Sequence, residues 1–257
     1  FFVISGYLIS RILIKNNRMP SKTFLAKRVK RILPAYLLML LVTLLAGALL
    51  MSTEGLYQLS KKAAAALFQV TNITSLNKDP YFATSSLEEP LLHTWSLAVE
   101  WQFYLRGALL LYLYHKGLKA QWCIVSFAGL GVLSFCASVF LALTEGLESH
   151  AYYSFSSRLW EFFIGVIVAL LCHKGIQRYA AILAYLGFLL LAASLYIVGN
   201  DRAFPGLWAL LPVLGTAFII YGSQVSSAIK TGLSIKPIVF IGGLSYSLYL
   251  WHWPVFA

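Results

Sequence analysis

The chain has 257 residues, of which 60% are hydrophobic and only 11% are charged, and its formal net charge is +11. A soluble domain carries about 25% charged residues, so this composition excludes a soluble globular protein and predicts an all-α polytopic membrane protein. The three cysteines, Cys123, Cys136 and Cys172, show no metal-ligand spacing, so we expect no metal site.

Apolar runs in chain order predict about eight membrane crossings. They lie at 1–14, 32–51, 96–114, 121–143, 153–172, 179–198, 204–221 and 238–257. The first run is shorter than the ~20 residues that a crossing needs, and the last stops within a helical pattern. We therefore expect a single membrane domain over 1–257 that is a fragment, truncated at both ends.

Charge alternates between successive connections. Basic residues cluster at 15–31, 116–119, 174–178 and 230–236, whereas acidic residues cluster at 54–89, 145–148 and 201. Short basic loops stay in the cytoplasm, so the net charge is a topological signal that needs no nucleic-acid partner. The basic face would also attract anionic membrane lipids.

The segment 52–95 begins and ends on the outer side in this topology. Its apolar piece, 63–70, is too short to span a membrane, so we expect an interfacial or re-entrant segment. Irregular backbone at membrane depth requires surrounding protein or a water-filled cavity, which predicts a cavity on the outer side.

Polar side chains inside the apolar runs are the first candidates for function, because each costs about 2.5–3.5 kcal/mol on insertion scales. His93, Ser96, Glu100 and Tyr104 fall on one helical stripe. An imidazole and a carboxylate on one face could transfer protons or bind sugar hydroxyls. The alternative is a hydrogen-bond network between packed helices within an aromatic belt, with His93 near the surface.

Two further groups of polar residues lie in later runs. Arg158 and Glu161 are three residues apart and can form an ion pair on one helix; a structural pair and a substrate contact explain them equally well. Ser245, Tyr249 and His252 share a face of the last run. Aromatic residues are common at membrane interfaces, so His252 is the more informative member.

Arg28 and Arg31 lie three apart at the cytoplasmic mouth of the second run. Guanidinium groups bind phosphate oxygens in a bidentate manner, so a phosphate-bearing donor could bind here. The alternative is a basic anchor that only sets topology. No phosphate-binding P-loop and no nucleophile elbow is present, so energy-coupled transport and serine-hydrolase chemistry lack support.

These residues lie within strings that resemble the acyltransferase-3 family of integral-membrane enzymes. The strings follow the family order over the whole chain: FFVISGYLI at 1–9, RVKRILP at 28–34, HTWSL at 93–97 with Glu100, RLWEF at 158–162, FPG at 204–206 with Leu211 and Pro212, and SYSLYLWHWP at 245–254. One departure is Trp101, where many members have a second acid.

The resemblance implies a multi-pass enzyme of the bacterial inner membrane. Members transfer an acyl group, usually acetyl, from cytoplasmic acyl-coenzyme A to a hydroxyl of an extracytoplasmic glycan such as lipopolysaccharide O-antigen, exopolysaccharide or peptidoglycan. Acyl-coenzyme A is then a donor substrate, and no bound cofactor is expected.

The resemblance also implies roles for particular residues. Glu100 matches the acid of the family motif and is therefore the expected catalytic acid, with His93 and His252 as further catalytic candidates. The main catalytic histidine is expected upstream of residue 1. Donor or acceptor binding falls to a second set: Arg28, Arg31, Trp95, Ser96, Arg158, Glu161 and Tyr249. We therefore expect the isolated fragment to be inactive.

Two rival functions remain open from the sequence. A transporter or flippase of lipid-linked saccharides would use the polar stripes as a path, and release of coenzyme A would separate it from a transferase. A non-catalytic scaffold or sensor would tolerate Glu100→Gln and His252→Ala without consequence.

Overall fold

The computed structural model describes residues 1–15, 21–77, 88–115, 120–173, 179–198, 204–225 and 227–257. These residues form α-helices and no strand, which confirms the all-α prediction. The first half contains α1 Phe2–Lys15, α2 Ser21–Leu50, α3 Thr53–Leu67, α4 Thr71–Thr74, α5 Thr94–His115 and α6 Ala120–Leu143. The second half contains α7 Glu148–Tyr153, α8 Phe155–His173, α9 Ala180–Ile197, α10 Leu210–Val225, α11 Ser227–Leu233 and α12 Lys236–Phe256.

Five stretches of the described residues are helical, long and apolar enough to cross a membrane. They are Thr23–Leu50, Val125–Leu143, Glu148–Cys172, Ala180–Ile197 and Leu207–Gln224, which confirms a multi-pass architecture. The other three predicted crossings coincide with α1, α5 and α12, and their crossing stays a prediction. The predicted basic connections at 116–119 and 174–178 lie outside the described residues, as do Arg18, Asp79 and Asp201.

Helices α1 and α8 cross with their backbones in direct contact. A Cβ atom added to Gly6 would lie 2.2 Å from the carbonyl oxygen of Phe162, and one added to Gly165 would lie 2.2 Å from that of Val3. Only glycine at both positions permits this approach. The crossing places the polar residues of α1 and α8 around one buried region.

Helix α3 corrects the predicted boundaries of the outer segment. Residues 63–70 are not a separate apolar piece, since 63–67 form the last third of a helix that starts at Thr53. The Ser52 hydroxyl accepts from the Gly55 amide at 3.2 Å, and this cap lets the polar residues before Ala63 join the helix. Its location at the membrane interface stays a prediction.

Helix α3 is fixed against α2 by its buried side. Leu59, Ala63 and Ala66 pack on Tyr36 and Met39 of α2 in one apolar cluster. The Tyr36 hydroxyl also donates to the Ala66 carbonyl at 3.1 Å. As a result, α3 lies beside the ends of α2 and α12 and the start of α5.

Candidate functional site

Glu100 is the centre of a buried polar cluster between α1 and α5. It lies in the second turn of α5 and is only 5% exposed. Its Oε1 accepts hydrogen bonds from the Ser5 hydroxyl of α1 and from the Tyr104 hydroxyl one turn further along α5. The predicted stripe therefore does bring Glu100 and Tyr104 together, and Ser5 is a partner that sequence reasoning missed.

Arg28 connects this cluster to α2. Its guanidinium lies 5.3 Å from the Tyr104 ring centroid and 5.7 Å from that of Phe24, distances at which a cation is attracted to an aromatic face. Arg31, by contrast, is exposed. The two predicted donor-binding arginines therefore differ, because Arg28 faces the Glu100 cluster and Arg31 faces outward from α2.

Arg158 and Glu161 form the ion pair that their spacing predicted. The Arg158 Nη1 lies 2.8 Å from Glu161 Oε1, and the Arg158 Nε donates to the Tyr152 carbonyl at 2.9 Å. Both side chains are buried, at 3% and 7% exposure. A buried arginine needs this full set of partners, because an unpaired charge in an apolar bundle is strongly unfavourable.

Three aromatic rings enclose the Arg158 guanidinium. Their centroids lie 5.5 Å away for Trp95, 4.7 Å for Tyr152 and 5.4 Å for Phe204. Trp95, predicted as a binding residue, is thus a wall of the arginine site and is 7% exposed. The rings come from three different parts of the chain, so they fix α5, α7 and the segment before α10 around one cation.

The first turn of α1 lies between the Glu100 and Arg158 clusters. Phe2 packs against Trp95 at 5.9 Å and against Phe162 at 4.7 Å between ring centroids. On the same helix, Ser5 donates its hydroxyl hydrogen bond to Glu100. The two clusters are therefore neighbours within one buried polar region.

A third group joins the start of α5 to α12. The Tyr249 hydroxyl donates to the His93 carbonyl at 2.6 Å and lies 2.5 Å from the Ser96 hydroxyl. The His93 ring lies 5.5 Å from that of His252, which is exposed and has its Nδ1 2.6 Å from the Tyr249 carbonyl. Four predicted site residues thus meet, although Ser96 and Tyr249 are 153 residues apart in the chain.

The structure corrects one expectation about these residues and limits another. His93 is not near the surface but 3% exposed, because α12 covers the turn before α5. Ser245 does not join Tyr249 and His252, since it is exposed and donates to the Gly242 carbonyl at 2.7 Å. Ser245 shares their helical face, as spacing predicts, but α2 meets this turn of α12 through Tyr246, whose hydroxyl donates to the Ile32 carbonyl at 3.0 Å.

The His93 imidazole is held in its neutral form. Burial lowers its pKa from 6.5 to about 3, with the nearby His252 as a second cause. Neither ring nitrogen has a well-formed hydrogen bond among the described residues, although the Leu250 backbone lies near. A neutral imidazole in such surroundings can accept a hydrogen bond from a ligand hydroxyl.

Arg106, for which spacing alone offers no role, contacts the start of α8. Its guanidinium lies 4.4 Å from the Phe155 ring centroid, and the side chain is exposed. This cation–π contact joins α5 to α8, and it lies apart from the partners of Glu100.

Two cavities flank the polar region at opposite ends of the bundle. One of about 290 Å³ lies beside α3 and the segment before α5, and its lining includes Lys62 and Glu89. The other, of about 520 Å³, is lined by residues of α1, α8 and α10 that include Arg11 and Lys15. In the predicted topology the first opens outward and the second opens to the cytoplasm.

Lys62 and Glu89 were missed by the sequence reasoning, although a signal for Lys62 existed. Leu59, Lys62, Ala63 and Ala66 recur at helical spacing and are all buried, so Lys62 could have been placed on the buried face of α3. Glu89 offered no such signal because it lies outside any helix.

Comparison with known proteins agrees with these observations. The model of the acyltransferase domain family, acyltransferase-3, matches residues 1–257. The chain is 31% identical over 271 residues to O-acetyltransferase OatA of Staphylococcus aureus strains NCTC 8325 / PS 47, COL and MRSA252. That similarity covers 99% of this chain and 45% of each relative, so the chain spans about half the length of these curated relatives. No solved structure matches it. The family match over the full chain shows that this protein belongs to the acyltransferase-3 family.

Proposed function

We propose that this chain is the membrane domain of an O-acyltransferase of the bacterial inner membrane. It transfers an acetyl group from cytoplasmic acyl-coenzyme A to a hydroxyl of an extracytoplasmic glycan, such as lipopolysaccharide O-antigen, exopolysaccharide or peptidoglycan. The observation that carries the proposal is the buried Glu100, which Tyr104 links to Arg28 and which α1 joins to the Arg158 cluster through Ser5 and Phe2.

The reaction requires proton transfer at the acceptor hydroxyl. As its oxygen bonds to the acyl carbon, the hydroxyl loses a proton, the thioester C–S bond breaks and coenzyme A leaves as a thiol. The proposed base for this step is the histidine that the family resemblance places before residue 1. As an acyl carrier, that histidine would first take the acyl group from coenzyme A, which leaves as a thiol, and the hydroxyl would then break the acyl–histidine bond. Glu100, fixed by Ser5 and Tyr104, would orient that base and stabilise its charged form.

The donor would bind through Arg28 and Arg31, which carry the only arginine charges between 19 and 105. A hydrogen bond to a charged group contributes about 1.5–3 kcal/mol, so Arg28→Ala with Arg31→Ala should raise the KM for acetyl-coenzyme A at least about 10-fold in the complete protein. The matched control is Arg11→Gln with Lys15→Gln, which neutralises the separate basic cavity. An unchanged KM in the Arg28 and Arg31 variant would refute this donor site.

The acceptor side would be shaped by the groups near the start of α5. Arg158 and Glu161 hold Trp95 in place, while Ser96 and Tyr249 position His93 next to His252. His93 is neutral and His252 is exposed, so both can exchange hydrogen bonds with sugar hydroxyls.

The decisive experiment supplies membranes containing the complete protein with radiolabelled acetyl-coenzyme A and cell-envelope glycan. We expect label to move into glycan, and Glu100→Gln should abolish the transfer. Glu54→Gln is the control, since Glu54 is an exposed acid of α3 whose carboxylate accepts a hydrogen bond from the Gln58 side chain at 2.7 Å. Transfer that is equally fast in the Glu100→Gln variant would refute the role of this carboxylate.

A transporter or flippase of lipid-linked saccharides is the second candidate. It is favoured by an apolar groove of about 300 Å³ between α2, α3 and α12, which shares Met51, Leu59 and Pro90 with the outer polar cavity. A transporter would move saccharide without consuming acetyl-coenzyme A. Coenzyme A release that depends on added acceptor would exclude transport as the sole activity.

A further inference from the structure

The outer cavity is built around a buried cation. Lys62 is 7% exposed, and its ammonium lies 2.8 Å from Glu89 Oε2 and 2.9 Å from the Ser75 hydroxyl. The adjacent Lys61 of the same helix is exposed. Burying a lysine is unfavourable even when it is paired, so its presence in the wall of a cavity points to a binding role.

The remaining walls provide further hydrogen-bonding groups above an apolar floor. Gln58 and Glu88 line the cavity beside Lys62 and Glu89, and Leu59 and Leu91 lie beneath them. The lining thus contains an amide, an ammonium and two carboxylates within about 290 Å³. Such a mixture of donors and acceptors matches the hydroxyl groups of a saccharide, while the apolar floor suits its C–H face.

The cavity adjoins the histidine pair of the candidate site. The Trp253 indole Nε1 donates to the Glu89 carbonyl at 2.8 Å, and its ring lies 6.0 Å from that of His252. The His252 ring in turn lies 5.5 Å from that of His93. A ligand in the cavity would therefore lie one aromatic residue away from the predicted acceptor-side residues.

We propose that the Lys62–Glu89 cavity is a binding site for a neutral saccharide on the outer side of the membrane. This inference rests on the proposed function and assigns the acceptor to residues outside the family strings. Among the lining residues that the structure describes, two carboxylates against one ammonium leave one net negative charge. A neutral or amino sugar is therefore accepted, and a uronic acid or phosphorylated sugar is disfavoured by like charge.

Direct saccharide binding tests the site without relying on catalysis. The complete protein in nanodiscs is mixed with N,N′-diacetylchitobiose, maltose or a disaccharide of galacturonic acid, and saturation transfer to each sugar is measured by NMR. We expect transfer to at least one neutral sugar and none to the galacturonic acid disaccharide. Lys62→Gln should lower that signal at least fivefold, whereas Lys61→Gln should preserve it.

Gln58→Ala is a second variant that keeps the Lys62–Glu89 pair, in case Lys62→Gln prevents folding. Gln58 is exposed and bonds Glu54 at 2.7 Å, so its loss should weaken binding without unfolding α3. Equal signals in the Lys62→Gln, Gln58→Ala and Lys61→Gln variants, or no signal with either neutral sugar, would overturn the proposal. Acetyl transfer is scored separately, so saccharide binding without transfer would count against the proposed function alone.

Discussion

The Arg158–Glu161 pair offers the most direct quantitative test of the structure. Replacing Arg158 with Met leaves the Glu161 carboxylate buried without its cation and removes the Nε donor of the Tyr152 carbonyl. Breaking a buried ion pair from one side costs about 3–5 kcal/mol. We expect a similar loss for Glu161→Gln, because the Arg158 charge then remains buried among three rings.

The double variant should lose much less unfolding free energy than the two single variants lose in total. Removing both charges leaves no uncompensated ion, and a neutral pair of similar volume is often tolerated. If the double variant loses no more stability than one single variant, the coupling free energy is about 3–5 kcal/mol, at or above the top of the usual range for contacting residues. The assay is reversible unfolding of the complete protein in mixed micelles, followed by tryptophan fluorescence.

Additive losses would refute this reasoning. If the two single changes sum to the double change within about 0.5 kcal/mol, the side chains do not form a coupled pair. The same variants also decide between the two roles that their spacing left open. A stable double variant with normal acetyl transfer makes the pair structural, whereas a stable variant with a raised acceptor KM makes it a substrate contact.

Two further predictions concern packing and pH. Gly6→Ala should strongly destabilise the bundle, because its Cβ would lie 2.2 Å from the Phe162 carbonyl oxygen. The control is Gly129→Ala, whose added Cβ would have no described atom within 4 Å, so this variant should be neutral or more stable by up to about 1 kcal/mol. Thermal unfolding of both variants checks this, and an equal melting temperature would contradict the close approach. His93 has its pKa lowered from 6.5 to about 3. As pH falls, His93 is therefore protonated in the unfolded chain before it is protonated in the folded chain. Its contribution to stability is full above pH 6.5 and is lost as pH falls towards 3; the pH dependence of Tm should therefore flatten in His93→Phe, and unchanged slopes would contradict the burial of a neutral ring.

The sequence alone determined the class of protein and its local pairs. A 60% hydrophobic chain with 11% charged residues cannot cover a soluble surface, so a membrane bundle follows from composition. Glu100 with Tyr104, and Arg158 with Glu161, are one helical turn apart, and both pairs are bonded in the structure. Such contacts depend only on the helical period, which is why spacing predicts them.

Contacts between distant segments were decided by the tertiary structure. Ser5 and Glu100 are 95 residues apart, and Tyr249 and the His93 carbonyl are 156 apart. Whether such residues meet depends on where helices cross and on which side chains the crossing buries. Neither quantity is contained in the period of a single helix.

The outer segment shows the same limit most clearly. Its sequence predicted a short apolar piece and a cavity, and it assigned the acidic residues only to a connection on the outer side. Only the packing of α3 on α2, fixed by Leu59 and by the Tyr36–Ala66 hydrogen bond, turns Lys62 inward to meet Glu89 at 2.8 Å. Composition and period therefore determined the helices and their local pairs, and helix packing decided which distant polar groups share a site.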